Sequence, residues 1–127
     1  MEVSYIYLIK SEMGRTKLGK ANNPEERLRQ LKTGHPVECK IAYKIPVPYN
    51  EALMLEQTCH SILSRKFKGK DEWYQASPED ILEEVKSIID VFCLSKIEYN
   101  KIKDEYYEVK DKEGNVIRQV TGMSRIL

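Results

Sequence analysis

The 127-residue chain has no run approaching the ~18 apolar residues of a membrane-spanning helix, and Met1-Glu2-Val3-Ser4 lacks both the basic and the apolar region of a secretory signal. A soluble, cytoplasmic (intracellular) protein with no membrane partner is the expectation. Cysteine is scarce: Cys39, Cys59 and Cys93 are odd in number and widely spaced, with no pairing suited to zinc or redox work. Reduced thiols, two of them buried, are expected. There is no internal repeat, no low-complexity tract, and no appended reading helix or zinc finger.

What is present is enough for one domain with a core, at 41% hydrophobic and 32% charged residues, and short for two. The net charge of +1 hides an asymmetry. Residues 1–70 hold 13 Lys and Arg against 7 Asp and Glu, net +6; residues 71–127 hold 8 against 13, net −5. The first part is basic enough to favour a polyanionic partner.

Val3 to Lys10 is rich in Tyr, Ile and Val, with apolar residues on both faces, as a central strand requires. Ser11-Glu12-Met13-Gly14 supplies a turn, and Arg15 to Ala21 returns as the second arm of a hairpin. The hairpin carries a phenol, Tyr7, and an amine, Lys17, which folding could bring onto one surface. Asn23-Pro24-Glu25-Glu26 then reads as a capped helix start, running to Thr33 with Gly34 as a left-handed stop. Leu28 and Leu31 form its narrow apolar stripe, near which the stem of Arg27 lies. Val37, Cys39, Ile41, Tyr43 and Ile45 alternate with Glu38, Lys40, Ala42 and Lys44, a strand with one buried face that Pro46 and Pro48 end. Asn50 is a cap for a helix over residues 51–66.

That helix holds an anomaly. Ala52, Leu55, Cys59, Leu63 and Phe67 form its apolar stripe at about 100° per residue, and Glu56 falls inside the arc. A carboxylate there is costly unless it is paired or binds a cation. His60 lies one turn further on, so the two side chains could face one site. A basic loop, Lys66 to Lys70, leads to an extended segment, Glu72 to Ala76, with the only tryptophan, Trp73. Ser77-Pro78-Glu79-Asp80 starts a helix that turns Ile81, Leu82, Val85, Ile88, Ile89 and Phe92 inward. Residues 1–92 make the main domain. Residues 93–127 form a charged C-terminal extension: a helical connector over 95–105, then a hairpin of 106–110 and 116–120 about a Gly-Asn turn.

The Tyr-Ile-Tyr strand, the Lys-Leu-Gly strand, the Pro-Glu-Glu-Arg-Leu-Arg-Gln-Leu helix and the Glu56-x-x-x-His60 helix followed by Glu72-Trp73-Tyr74 resemble the GIY-YIG nuclease superfamily. The likeness spans about residues 3–90 and is nearest to the phage and bacterial branch with lysine in the second motif. It implies an α/β (α+β) fold with a central three-stranded antiparallel sheet flanked by helices, which cuts a DNA phosphodiester with Mg²⁺ or Mn²⁺. In that scheme Tyr7 is the general base or its relay, Lys17 keeps the phenol reactive from across the hairpin, Arg27 neutralises the phosphate and Glu56 binds the metal. His60 would join the catalytic group. Tyr5 stands where the first motif has glycine and would contact the phosphate or line the cleft. Lys10, Arg15, Lys20, Arg29, Lys32, Lys66, Lys68 and Lys70 would meet DNA.

The chemistry suits these roles. A phenol with a pKa of about 10 needs a nearby cation to act as a base at neutral pH. A pentacovalent phosphate gains most from a fixed guanidinium and a metal. Each residue also has a structural alternative. Tyr7 could be a cross-strand aromatic, Lys17 a solvated lysine, Arg27 a partner of Glu26, Glu56 a bonded marginal carboxylate, His60 a satisfied histidine and Trp73 core. A DNA-binding module that cuts weakly or not at all, and a protein-interaction domain using the C-terminal tail, are the competing functions. A homodimer, formed through residues 93–127, would be one route to cutting both strands.

Overall fold

The structure is a computed structural model that describes residues 3–34 and 38–93 in full and the backbone of 96–98, 106–110 and 116–121. Strand β1 (Val3–Ser11) and strand β2 (Thr16–Ala21) form the expected antiparallel hairpin. Its turn closes through Gly14, at φ +80° where a side chain would be strained, whose N–H donates to the Ser11 carbonyl at 3.1 Å. Helix α1 (Pro24–Thr33) starts as its sequence dictates, with the Asn23 side chain accepting from the Glu26 N–H at 3.1 Å. Gly34 ends it at φ −111°, outside the left-handed region that was expected.

Strand β3 (Cys39–Pro48) pairs antiparallel with the other side of β1, and here the sequence misleads in two ways. The register shifts between Leu8 and Ile9, so Leu8 pairs with Tyr43 while Ile9 pairs with Ile41, leaving Ala42 as an extra residue. The bulge reverses the alternation: Ile41 stays on the face of Tyr7 and Ile9, Tyr43 and Ile45 move to the face of Ile6 and Leu8, and Lys44 comes to lie beside Tyr7. Val37 lies outside the described residues. Nor do the prolines end the strand. Pro46 pairs with Tyr5 and Pro48 with Val3, which an outer strand tolerates because a missing amide hydrogen on its open side breaks no ladder bond.

A single 3₁₀ turn (Tyr49–Glu51) precedes helix α2 (Ala52–Lys66), so Asn50 sits inside the turn instead of capping the helix. Two short strands follow, β4 (Gly69–Lys70) and β5 (Trp73–Tyr74), which extend the sheet to five strands in the order β3-β1-β2-β5-β4, where three were expected. Helix α3 (Pro78–Phe92) begins with the Ser77 side chain accepting from the Asp80 N–H at 3.1 Å. It buries Ile81, Leu82, Val85 and Ile88. Phe92 was expected inward but is 44% exposed, at the end of α3 beside Met54 and Ile62 of α2. The connector expected to be helical contains strand β6 (Lys96–Glu98); the rest of it, 99–105, and the Gly-Asn turn lie outside the described residues. Strands β7 (Tyr106–Lys110) and β8 (Val116–Thr121) form the expected hairpin, and β6 adds a third strand to it.

The main sheet is buried on both faces. Ile6, Leu8, Leu18, Ile45 and Val47 pack with Leu55 and Leu63 of α2 and Ile81 and Val85 of α3. Tyr7, Ile9 and Cys39 pack with Leu28 and Leu31 of α1 and with Trp73. Truncating one of the fully buried aliphatic residues to alanine would cost about 2–5 kcal/mol. All three cysteines are buried, one more than expected, and none forms a disulfide among the described residues. Among the described residues, no helix is long and apolar enough to cross a membrane.

Candidate active site

The site is built around Tyr7, and the register decides what it meets. Tyr7 pairs with Gly19 across the hairpin and with Lys44 on its other side. A Cβ on residue 19 would fall 2.5 Å from the phenol Cζ, so only glycine lets the ring lie over β2. Tyr7 is 2% exposed. Burial pushes its phenol pKa up; the Arg27 guanidinium, hydrogen-bonded to the hydroxyl, pulls it down, and the Glu72 and Glu56 carboxylates add to the rise. Tyr7, Arg27, Glu56 and Glu72 therefore share one electrostatic neighbourhood.

The cation at Tyr7 is Arg27, not Lys17. Arg27 also donates to Gln30 Oε1 at 3.4 Å, while Glu26 pairs with Arg29 at 2.6 Å. Lys17 pairs in register with Ile9, two residues nearer the turn than the position opposite Tyr7 that was expected of it. Its amine reaches Glu72 Oε2 at 3.1 Å and lies 5.8 Å from the centre of the Trp73 ring. Tyr5 does not stand free in a cleft. It is buried, with Lys44 Nζ 5.1 Å from its ring centre. Lys44, itself buried, pairs with Glu25 in the first turn of α1 at 2.8 Å, and so ties the helix that carries Arg27 to the strand beside Tyr7.

Glu56 and His60, one turn apart on α2, meet Glu72 from the β4–β5 turn. One ligand atom from each lies within 4.8 Å of the others. Glu72 is brought there by unusual backbone: Asp71 and Glu72 have φ of 54° and 71°, a conformation that costs non-glycine residues about 1–3 kcal/mol each. The Glu72 carbonyl accepts from the Leu18 N–H at 3.1 Å, which ties the turn to β2. His60 Nδ1 is 2.5 Å from the Tyr74 hydroxyl, and the two rings stack with centroids 5.7 Å apart. His60 Nε2 is buried and has no hydrogen-bond partner. Burial pushes the Tyr74 phenol up to about 12, and also the Cys59 thiol to about 12, so both are neutral at physiological pH.

These residues fit a divalent cation. Donors on opposite sides of a Mg²⁺ ion stand about 4.2 Å apart, since each lies at about 2.1 Å. A spread of 4.8 Å needs an adjustment of a few tenths of an ångström, within the reach of two glutamates. Glu56 lies within this cluster on α2. His60 and Glu72 stand with it, and Glu72 had no assigned role in the sequence.

The basic residues divide among several surfaces. Arg15, Lys66, Lys68 and Lys70 line one groove with Arg65 and Trp73. Lys10 and Lys32 line another with Lys40. Lys20 is exposed on β2, and Arg29 is occupied by Glu26. Lys66 is anchored to Glu84 at 2.8 Å. Half-buried Trp73 packs against Tyr7 and Ile9, as the core reading expects, while one part borders the basic groove.

A mixed α+β sheet domain with a buried phenol beside an exposed guanidinium, a Glu-His-Glu cluster and a basic groove on its flank is the class that fold and site define. The chain belongs to the T5orf172 domain family, whose match covers residues 4–93, a domain found in phage and nuclease-like proteins. No curated protein and no solved structure matches the chain.

Proposed function

We propose that the chain is a divalent-metal-dependent DNA endonuclease, or nickase, of GIY-YIG type. The observation that carries this reading is the convergence of Tyr7, Arg27 and Glu56 within one electrostatic neighbourhood, from a strand and two helices far apart in sequence. Membership of a family found in phage and nuclease-like proteins supports it.

A DNA strand lies along the groove of Arg15, Lys66, Lys68 and Lys70, held mainly by phosphate contacts, so binding weakens as salt rises. Glu56, with His60 and Glu72 beside it, would hold Mg²⁺ or Mn²⁺, which would supply positive charge next to the phosphate and make a water more acidic. Arg27, exposed at its outer end, neutralises charge that accumulates on the pentacovalent phosphate. Tyr7 accepts or relays the proton of the attacking water; the water oxygen bonds to phosphorus as the bond to the leaving oxygen breaks, and that oxygen takes up a proton. Arg27 is the group that makes Tyr7 competent, because its guanidinium is the cation at the hydroxyl. Lys17 fixes Glu72 beside the site. His60 acts through the cluster, not on the substrate.

Tyr7's depth favours a second reading, a DNA-binding module that does not cut, since burial keeps the phenol protonated. Supercoiled plasmid with Mg²⁺ or Mn²⁺ separates the two. Wild-type protein is expected to relax or linearise it, with Glu56→Ala and Tyr7→Phe inactive but still binding. Equal conversion by all three refutes the roles assigned here, and binding without conversion by any selects the second reading.

A further inference from the structure

We infer that Glu56, His60 and Glu72 form a single three-donor site for a transition-metal dication, which it binds in preference to Mg²⁺, and that Tyr74 positions His60 for this by fixing its tautomer. The use of the metal in cleavage rests on the reading above; its binding does not.

The inference starts from His60. Its Nδ1 is committed to the Tyr74 hydroxyl, and its Nε2 is buried with no partner, a costly state for a polar atom. A histidine serving only to neutralise two glutamates would donate Nε2–H to one of them, and no such bond is formed. When Nδ1 carries the proton and donates it to the Tyr74 oxygen, Nε2 is left with a lone pair beside two carboxylates. Ring stacking on Tyr74 holds that orientation. An outer group bonded to the second ring nitrogen is the usual accompaniment of a metal-binding imidazole.

The two carboxylates are delivered independently. Glu56 comes from the same helix face as His60, one turn earlier. Glu72 comes from the two-residue β4–β5 turn, on a different element from Glu56 and His60, and the Lys17 amine at 3.1 Å balances its charge. One imidazole with two carboxylates is a donor set that suits the transition series, whereas Mg²⁺ prefers oxygen alone and keeps most of its water.

The test is titration of the full chain without DNA, using Co²⁺ and Mg²⁺ as probes, followed by calorimetry and by the visible absorption of bound Co²⁺. One Co²⁺ per chain is expected, bound more tightly than Mg²⁺ by more than about tenfold. His60→Asn and Glu72→Gln should each weaken Co²⁺ by at least about tenfold, because loss of an outer partner alone costs about 10–100-fold. Tyr74→Phe should weaken it by about tenfold and alter the Co²⁺ spectrum, whereas Glu83→Gln on the exposed face of α3 should do neither. Glu72 is exposed and leaves the core untouched, so its variant, though it costs Lys17 its partner, is the one to read where the His60 variant does not fold, with Tm measured beside each affinity. Absence of Co²⁺ binding, equal affinity for Mg²⁺, or Co²⁺ binding indifferent to Glu72→Gln overturns the inference. Plasmid cleavage by a protein with no Co²⁺ site would sink this inference and leave the nuclease reading standing; a Co²⁺ site without cleavage would do the reverse.

Discussion

Gly19→Ala isolates the packing that makes the site. Gly19 lies within β2 and is not among the residues at positive φ, so the backbone itself accepts alanine, which in a strand is favoured over glycine by about 0.5–1 kcal/mol. Propensity alone therefore predicts a small stabilisation. Opposing it, the new Cβ would lie 2.5 Å from Cζ of a ring that is 2% exposed and packed between β2 and Arg27. Overpacking of this kind costs about 1–3 kcal/mol. The clash wins, with a net destabilisation of about 1–2 kcal/mol and a fall in Tm of about 4–8 °C per kcal/mol for a domain of this size. Urea unfolding of Gly19→Ala, Tyr7→Leu and the double variant gives the deciding quantity, the coupling between the two positions. In the Tyr7→Leu background, alanine should be neutral or stabilising. A Gly19→Ala protein as stable as wild type, or one equally destabilised in both backgrounds, would refute the claim that this glycine exists to admit the phenol.

Further outcomes follow from the same geometry. Because burial raises the Tyr7 pKa above its ordinary value, the phenolate fraction grows with pH across the neutral range, so the plasmid-cleavage rate should climb from about pH 7 to pH 9 without levelling; a rate that plateaus below about pH 8 would exclude Tyr7 as the titrating base. Lys44 is buried and Glu25 is 41% exposed, so Glu25→Gln, which strands a buried charge, should lower Tm more than Lys44→Met, which replaces it with an apolar chain. Denaturation scans in which Lys44→Met is the worse of the two would contradict that asymmetry. Cys39, Cys59 and Cys93 are all buried, and burial pushes Cys59 up to about 12, so a colourimetric thiol reagent should find almost no reactive thiol at neutral pH in the native protein and all three in urea.

The parts of the fold that were legible in the sequence are those whose signals are local. Asn23-Pro24 and Ser77-Pro78 announce α1 and α3 because capping depends on a few neighbouring residues. The two-faced run of β1 announces a strand buried on both sides. What failed depends on pairing. The bulge that turns Lys44 inward depends on the β1–β3 register, and two-residue strands such as β4 and β5 are too short to show a period. Of the candidate site, Tyr7 and Arg27 converge as expected, and Glu56 stands with His60 as anticipated. Lys17 was placed opposite Tyr7 by counting through a turn whose closure could not be read, and it pairs with Ile9 instead. Glu72 was visible only as part of the Glu72-Trp73-Tyr74 likeness and had no role, because left-handed backbone at Asp-Glu carries no glycine or asparagine to mark the turn that delivers it.

The prolines of β3 also bear on how the molecule behaves in a crowded solution. An outer strand with free amide donors invites another chain to add itself, the first step towards aggregation. Pro46 and Pro48, two residues apart, remove successive donors from one side of that border, and the opposite border, β4, is only two residues long and ends in Lys70. Growth of the sheet is therefore hindered at the Pro46–Pro48 end of one margin and along the short β4 margin. A concentrated stock should resist fibril formation, and replacing both prolines with valine should remove that protection while leaving the Tyr7 site in place.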